Sequence, residues 1–364
     1  MSVNRKARII ALYLPQFYPI ADNDRWWGPG FTEWRSVAQA RALYPGHDQP
    51  KLPADLGYYD LRVQETREAQ ADLARSHGIE AFCYYHYWFA GRQLLDRPFA
   101  EVLASGRPDF PFCLCWANES WTGVWAGKPG QVLVEQTYPG AQEHAAHFES
   151  LLPAFRDRRY LRIHGKPAFF IYRPIGMPDV GDFLRLWRTL AASSGLGDIY
   201  FVGINHRAQP WDPRTQGFDA GVANRLPDTR PWISRRDPRR WLRYRVQRWM
   251  NWPTIHRYRE VMLDPIVDRV PGAKVFPTVL PNWDTTARHG IRGNLLEGCS
   301  PELFAEQLRR AVAMVADRPA DERVVILKSW NEWAEGNYVE PDQRHGLGFL
   351  EAIKDEVTGQ SPAP

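Results

Sequence analysis

Two carboxylates three residues apart, Glu332 and Glu335, stand in the run Asn331-Glu332-Trp333-Ala334-Glu335-Gly336, just past an apolar stretch. If a helical turn starts there, both side chains lie on one face. Cleaving a glycosidic bond needs two carboxyl groups beside the anomeric carbon. One donates a proton to the leaving oxygen and the other acts as base or nucleophile. The flanking Trp330 and Trp333 would lower the local dielectric and raise one pKa, as a general acid requires. Two other readings stay open. The acids can complement a helix N-terminus. Alternatively Glu119, in Asn118-Glu119 after another apolar run, is the acid and Glu332 a nucleophile.

Glu33 and Glu340 lie in aromatic, Gly/Pro-rich loops and read as substrate hydrogen-bonders or loop braces. His144 and His147 would share a helix face, but no acid ligand accompanies them. Lys166 and Lys328 lie near strands without a setting for Schiff-base chemistry. No metal and no cofactor is expected. The four cysteines, Cys83, Cys113, Cys115 and Cys299, lack CxxC spacing and read as reduced thiols.

Something must hold these residues together. Eight apolar runs, near 8–15, 79–88, 110–118, 167–174, 199–206, 218–224, 274–284 and 324–331, are continuous rather than alternating, as in parallel strands buried on both faces. Helix-like stretches at 61–77, 93–105, 141–157, 180–194, 239–262, 301–317 and 347–357 lie between or after them. The link 207–217 is the weak point of this alternation, because it is short and Pro-containing. Repeated strand–helix alternation predicts an α/β fold, a single (β/α)8 TIM barrel with its core at about 7–357 of residues 1–364. No glycine fingerprint follows the first strand, which counts against a dinucleotide site.

In such a barrel the active groups sit at the C-terminal strand ends. The expected substrate-binding set is Tyr13, Trp27, Glu33, Trp34, His86, Trp88, Trp116, Asn118, Glu119, Asn205, Asn282, Trp330, Trp333 and Glu340, around catalytic Glu332 and Glu335. Two additions stand out. Residues 16–60 form a long loop centred on Trp26–Trp34, expected to cover the Glu332 end and wall a sugar subsite. Residues 225–259 carry eleven arginines against two acids, Asp228 and Asp237, within an insertion at about 225–262. This stretch reads as a solvated helix with snorkelling side chains, or as a landing surface for phosphates of a membrane face or lipid-linked sugar.

The bulk figures agree with one enzyme-sized barrel. Of 364 residues 44% are hydrophobic, enough for a large core, and a net charge of +4 gives no reason to expect nucleic acid. Sixteen tryptophans suggest exposed ring platforms of the kind sugars stack on, or a Trp-rich core. The basic N-terminus is followed by too short an apolar run for a signal-peptide core, so a cytoplasmic location is expected.

Several segments carry a resemblance: Tyr13-Leu14-Pro15-Gln16-Phe17, the Trp26–Trp34 run WWGPGFTEW, His86-Tyr87-Trp88-Phe89, Cys115-Trp116-Ala117-Asn118-Glu119-Ser120-Trp121-Thr122, Trp330 to Gly336, and Glu340-Pro341-Asp342. Together they resemble the WbsX family, glycoside hydrolase family 99-like proteins found among bacterial O-antigen and capsule genes. Family 99 itself comprises endo-acting α-mannosidases on a (β/α)8 barrel, with the catalytic segment Glu-Trp-His-Glu-Gly. The resemblance implies that Glu332 is the base for the sugar 2-hydroxyl, whose oxygen then attacks the anomeric carbon. It implies that Glu335 protonates the leaving group and later activates water, with overall retention. Ala334 departs from the family 99 pattern, where His stands, which touches mannose specificity rather than the carboxylate chemistry.

The expected function is a retaining glycoside hydrolase acting on α-mannoside-type linkages of a bacterial surface glycan, lipid-linked forms included. The alternatives are a glycosyltransferase or transglycosylase of O-antigen or lipopolysaccharide biosynthesis, and a non-catalytic glycan-binding protein. A nucleotide-sugar version lacks a Gly-rich phosphate loop and an Asp-x-Asp motif.

Overall fold

The computed structural model describes residues 5–123, 128–207, 209–224 and 238–359. In chain order its principal elements are β1 (Arg8–Tyr13), α1 (Ala21–Trp27), α2 (Glu33–Gln39), α3 (Gln64–Ser76), β2 (Ile79–Phe89), α4 (Arg97–Ser105), β3 (Phe112–Trp116), α5 (Ala141–Arg156), β4 (Lys166–Ile171), α6 (Val180–Ser193), β5 (Tyr200–Asn205), β6 (Ala220–Ala223) and α7 (Pro238–Trp249). There follow α8 (Tyr258–Val261), β7 (Val275–Phe276 and Thr278–Val279), α9 (Thr286–His289), α10 (Pro301–Val315), β8 (Val324–Leu327) and α11 (Gly348–Thr358).

The strands pair in sequence order, all parallel, and β8 closes on β1. Pro277 divides β7 because it has no N–H to give to a ladder. Its first half pairs with β6 and its second with β8, and the Pro277 carbonyl still accepts from Ile326 N at 2.9 Å. The result is the expected (β/α)8 barrel. Its strands are buried on both faces, which is why their sequences read as unbroken apolar runs.

Two elements differ from the sequence expectation. Between β5 and β6 a single 3-10 turn, Pro213–Gln216, stands where a helix would. It packs close because β5 and β6 offer glycines: a Cβ on Gly203 would lie 2.5 Å from the Trp211 ring, and one on Gly221 3.3 Å from Pro213. The helix expected at 239–262 is interrupted. It ends at Trp249, Asn251 turns left-handed at φ +57°, and Thr254–Arg257 forms a short strand parallel to Asn294–Glu297. Pro253 accounts for the break, since it biases the residue before it away from the helical region. The arginines at 225–237 lie outside the described residues. No helix of the described residues is long and apolar enough to cross a membrane.

Candidate active site

The segment after β8 is fixed from several sides before it turns. The Asn331 side chain accepts from Leu14 N at 2.8 Å and donates to Leu14 O at 3.0 Å, tying the end of β8 to the end of β1. Asn331–Glu332 then pairs antiparallel with Asn337–Tyr338, and a 3-10 turn, Trp333–Glu335, joins them. Side chains three apart nearly eclipse in a 3-10 turn, which brings the Glu332 and Glu335 carboxyl groups close enough for each to shift the other's pKa. Gly336 closes the turn at φ +52°, and a Cβ there would lie 2.7 Å from Cβ of Asp284 and 2.8 Å from its N. Only glycine fits that conformation and that approach.

Both carboxyl groups line a cavity of about 290 Å³ at the C-terminal end of the barrel, near the lower limit of about 300 Å³ usual for small-molecule sites. Tyr85 and Tyr87 of β2, Tyr172 after β4, Trp27 of α1 and Trp121 supply aromatic walls, while Gln16, Asn23, Arg288 and Lys328 add polar groups. Trp27 brings the 16–60 loop to this end of the barrel, and Arg35 holds its carbonyl at 2.7 Å.

The two acids differ in their neighbours. Burial raises the Glu335 pKa, but the charge of Arg288, whose Nη1 lies 2.6 Å from Oε1, together with Lys328, Glu332 and His289 outweighs it and holds Glu335 below the ordinary carboxylate range. For Glu332 the charges of Lys328 and Arg288 also pull downward but do not prevail. Burial and then the adjacent Glu335 charge push it up to about 8, so the free pair holds one proton at neutral pH, on Glu332. Arg288 also reaches Glu33 at 2.6 Å, and Glu33 accepts from Ala334 N at 3.0 Å. Glu33 thus braces the 333–335 turn through both the cation and the backbone. Burial of Tyr85 and Tyr87, followed by the nearby Glu332 charge, keeps both as neutral phenols able to donate.

The expected substrate-binding residues divide. Trp27 and Glu119 line the cavity with Glu332 and Glu335. Glu119 is at the rim, 45% exposed and paired with Arg173 at 2.8 Å. The wall expected of Tyr13, His86, Trp88 and Trp116 is a correction: none of them lines the cavity. Side chains alternate along a strand, and it is Tyr85 and Tyr87 that face inward. His86 points outward to His147 of α5 at 2.9 Å, Trp88 stacks on the same ring and bonds Glu143, and Trp116 gives its N–H to the Trp88 carbonyl at 3.1 Å. His144 and His147 are buried among these rings, and His86 is lowered to about 3 by burial.

The remaining residues form the support. Tyr13 donates to Gln70 at 2.7 Å, and Gln70 in turn to Glu340 at 2.6 Å. Glu340 also accepts from Tyr59 at 2.8 Å and Trp333 at 2.6 Å, and its pKa is raised by burial to about 7. Trp34 packs on Trp333 with ring centres 5.4 Å apart, and Trp330 is fully buried. Asn118 bonds the Arg173 backbone, Asn205 bonds Asp268 at 2.6 Å, and Asn282 accepts from Tyr338 N at 3.0 Å. These residues brace loops away from the cavity. Arg288 and Tyr172 were missed. The signal for Arg288 was its place four residues past Asp284, whose carboxylate caps the turn through Thr286 N at 2.9 Å.

A family model described as Glycosyltransferase WbsX matches residues 9–353. The chain belongs to the WbsX family. Two curated relatives, both called "Uncharacterized protein WxcX" and from two strains of Xanthomonas campestris pv. campestris, are 38% identical over 360 residues. Those residues are 97% of this chain and 50% of each relative, so the chain spans about half their length. Among solved structures, a "Glycoside hydrolase-like protein" superposes with TM-score 0.62 at 16% identity, covering 98% of this chain and 95% of that one. The GH99 endo-alpha-mannosidase from Bacteroides thetaiotaomicron gives TM-score 0.56 at 14% identity, with 96% of each chain covered. At these identities the likeness shows the barrel fold.

Proposed function

We propose that the barrel is one catalytic unit, a retaining enzyme that breaks α-mannoside-type linkages of a bacterial surface glycan, lipid-linked forms included, through Glu332 and Glu335. The observation that carries this is the pair itself: the buried Glu332 and the partly buried Glu335 line one cavity walled by Tyr85, Tyr87 and Trp27, each shifting the other's pKa. The resemblance points to attack by the sugar's own 2-oxygen, with both acids serving proton transfer.

Glu332 then takes the 2-hydroxyl proton and Glu335 protonates the leaving oxygen, as the resemblance implies. The raised pKa of Glu332 favours the reverse placement in the free site. The roles therefore require the proton to cross to Glu335 as the sugar binds. The 2-hydroxyl selects an ionised Glu332, the leaving oxygen selects a protonated Glu335, and the charge of the pair does not change. The mannoside class rests on the resemblance and on the titled activity of the Bacteroides neighbour.

The description of the family as a glycosyltransferase favours a second version, in which a sugar hydroxyl rather than water takes the glycosyl group from the same site. Incubating the protein with defined α-mannosides and bacterial O-glycans, with and without acceptor sugars, tests both. Products followed by NMR should retain the α configuration, with water or the acceptor identifying the version. Net inversion, or turnover only from nucleotide-sugar donors, would overturn the proposal.

A further inference from the structure

We propose that α7 is an interfacial helix that docks this protein on an anionic lipid surface. Surface helices ordinarily turn an apolar stripe inward and polar residues outward. In α7 the order is reversed. Its inward face is polar: Gln247 is buried and exchanges hydrogen bonds with the Ile255 backbone, at 3.2 and 3.3 Å, and Arg243 bonds Glu260 at 3.1 Å. These contacts fix the roll of the helix. Leu242, Val246, Trp249 and Met250, at i, i+4, i+7 and i+8, are therefore left facing solvent, with Trp249 85% and Leu242 59% exposed. Of the eleven large apolar side chains exposed among the described residues, five belong to this helix or directly follow it, Trp241 being the fifth. Such clustering marks an interaction surface rather than the usual scatter.

Charge selects the occupant. Residues 238–249 carry five arginines and no Asp or Glu. The Arg245 guanidinium lies over the Trp241 ring at 5.4 Å. An apolar stripe flanked by arginines and tryptophans matches the acyl boundary and the phosphates above it. A nucleic-acid face would instead put its cations at the centre.

The position of the helix gives the docking a use. The insertion leaves the C-terminal end of β6. Its strand Thr254–Arg257 leans on Asn294–Glu297, which follows β7. Both are at the end of the barrel that holds Glu332. A lipid surface under α7 would lie beside the cavity mouth, where a glycan carried on lipid would be presented. The proposal stands on the helix alone and does not depend on the roles given to the carboxylate pair.

Flotation of the full chain with phosphatidylcholine vesicles, with and without phosphatidylglycerol, tests it. The protein should float only with anionic vesicles. Leu242→Ser with Trp249→Ser, and separately Arg245→Glu with Arg248→Glu, should each lower partitioning by about tenfold or more. All four positions are exposed or on the flank, so unchanged melting curves serve as the folding control. Undiminished binding by the Leu242→Ser, Trp249→Ser variant would reduce the surface to simple charge attraction and overturn the proposal. So would failure of the parent protein to float. Sedimentation showing a dimer that Trp249→Ser dissolves would overturn it in favour of a second copy as the occupant.

Discussion

At the scale of single residues, the asymmetry between Glu332 and Glu335 decides the pH behaviour. The working site needs one proton on the pair. That proton is lost as pH rises through about 8, so kcat/KM should fall there, and a second limb should appear at acid pH when Glu335 also protonates. A flat profile from pH 6 to 10 would contradict this assignment. Stability carries the same signature. A carboxyl whose folded pKa is raised supports folding fully only below its unfolded pKa, and that support is lost as pH rises toward the folded value. Glu332→Gln needs no proton, so its melting temperature should exceed the parent's by a margin that grows from pH 5 to pH 8. Arg288 works in the opposite sense. Arg288→Met leaves the buried Glu33 and the partly buried Glu335 without their cation and should cost about 3–5 kcal/mol in denaturant unfolding. Adding Glu33→Gln should recover part of the stability but not turnover.

At the scale of elements, the short hairpin 331–338 is what converts sequence spacing into a site. Its spacing of three was legible, and so was the preceding strand. The 3-10 form of the turn was not, because it depends on contacts from Glu33 and Asp284, hundreds or tens of residues away. Gly336→Ala should test the hairpin. A left-handed alanine costs about 1–2 kcal/mol before any clash, and here the methyl meets the Asp284 backbone. Stability and turnover should therefore both drop, with Glu335 displaced. Parity was the main misreading. His86 and Trp88 are as polar and aromatic as Tyr85 and Tyr87, and nothing local in Tyr85-His86-Tyr87-Trp88 tells which pair faces inward. The partner that decides it, His147, is on α5, 61 residues from His86. Replacing His86 by Phe should accordingly shift melting and leave KM nearly unchanged.

At the scale of the whole molecule, the barrel was the most legible feature, since parallel strands buried on both faces write themselves as continuous apolar runs. Even the absent helix at 207–217 was visible as a short, Pro-containing link. The basic stretch was legible as charge but not as a surface, because which residues of α7 face outward follows from Gln247 and Arg243 rather than from composition. The tryptophans divided between the two expected uses: Trp27 and Trp121 line the cavity, whereas Trp116, Trp187, Trp330 and Trp333 are buried in the core. The account as a whole rests on Glu332 and Glu335 rather than Glu119. The most direct measurement is turnover of an α-mannoside-type oligosaccharide by Glu332→Gln, Glu335→Gln and Glu119→Gln, each checked for an intact fold. The two pair variants should each lose about 10²–10⁴-fold or more in kcat, with Glu335→Gln partly spared on an acidic leaving group, while Glu119→Gln keeps most of its activity. Abolished turnover in Glu119→Gln beside a nearly silent Glu335→Gln would contradict the account and move the acid to the rim.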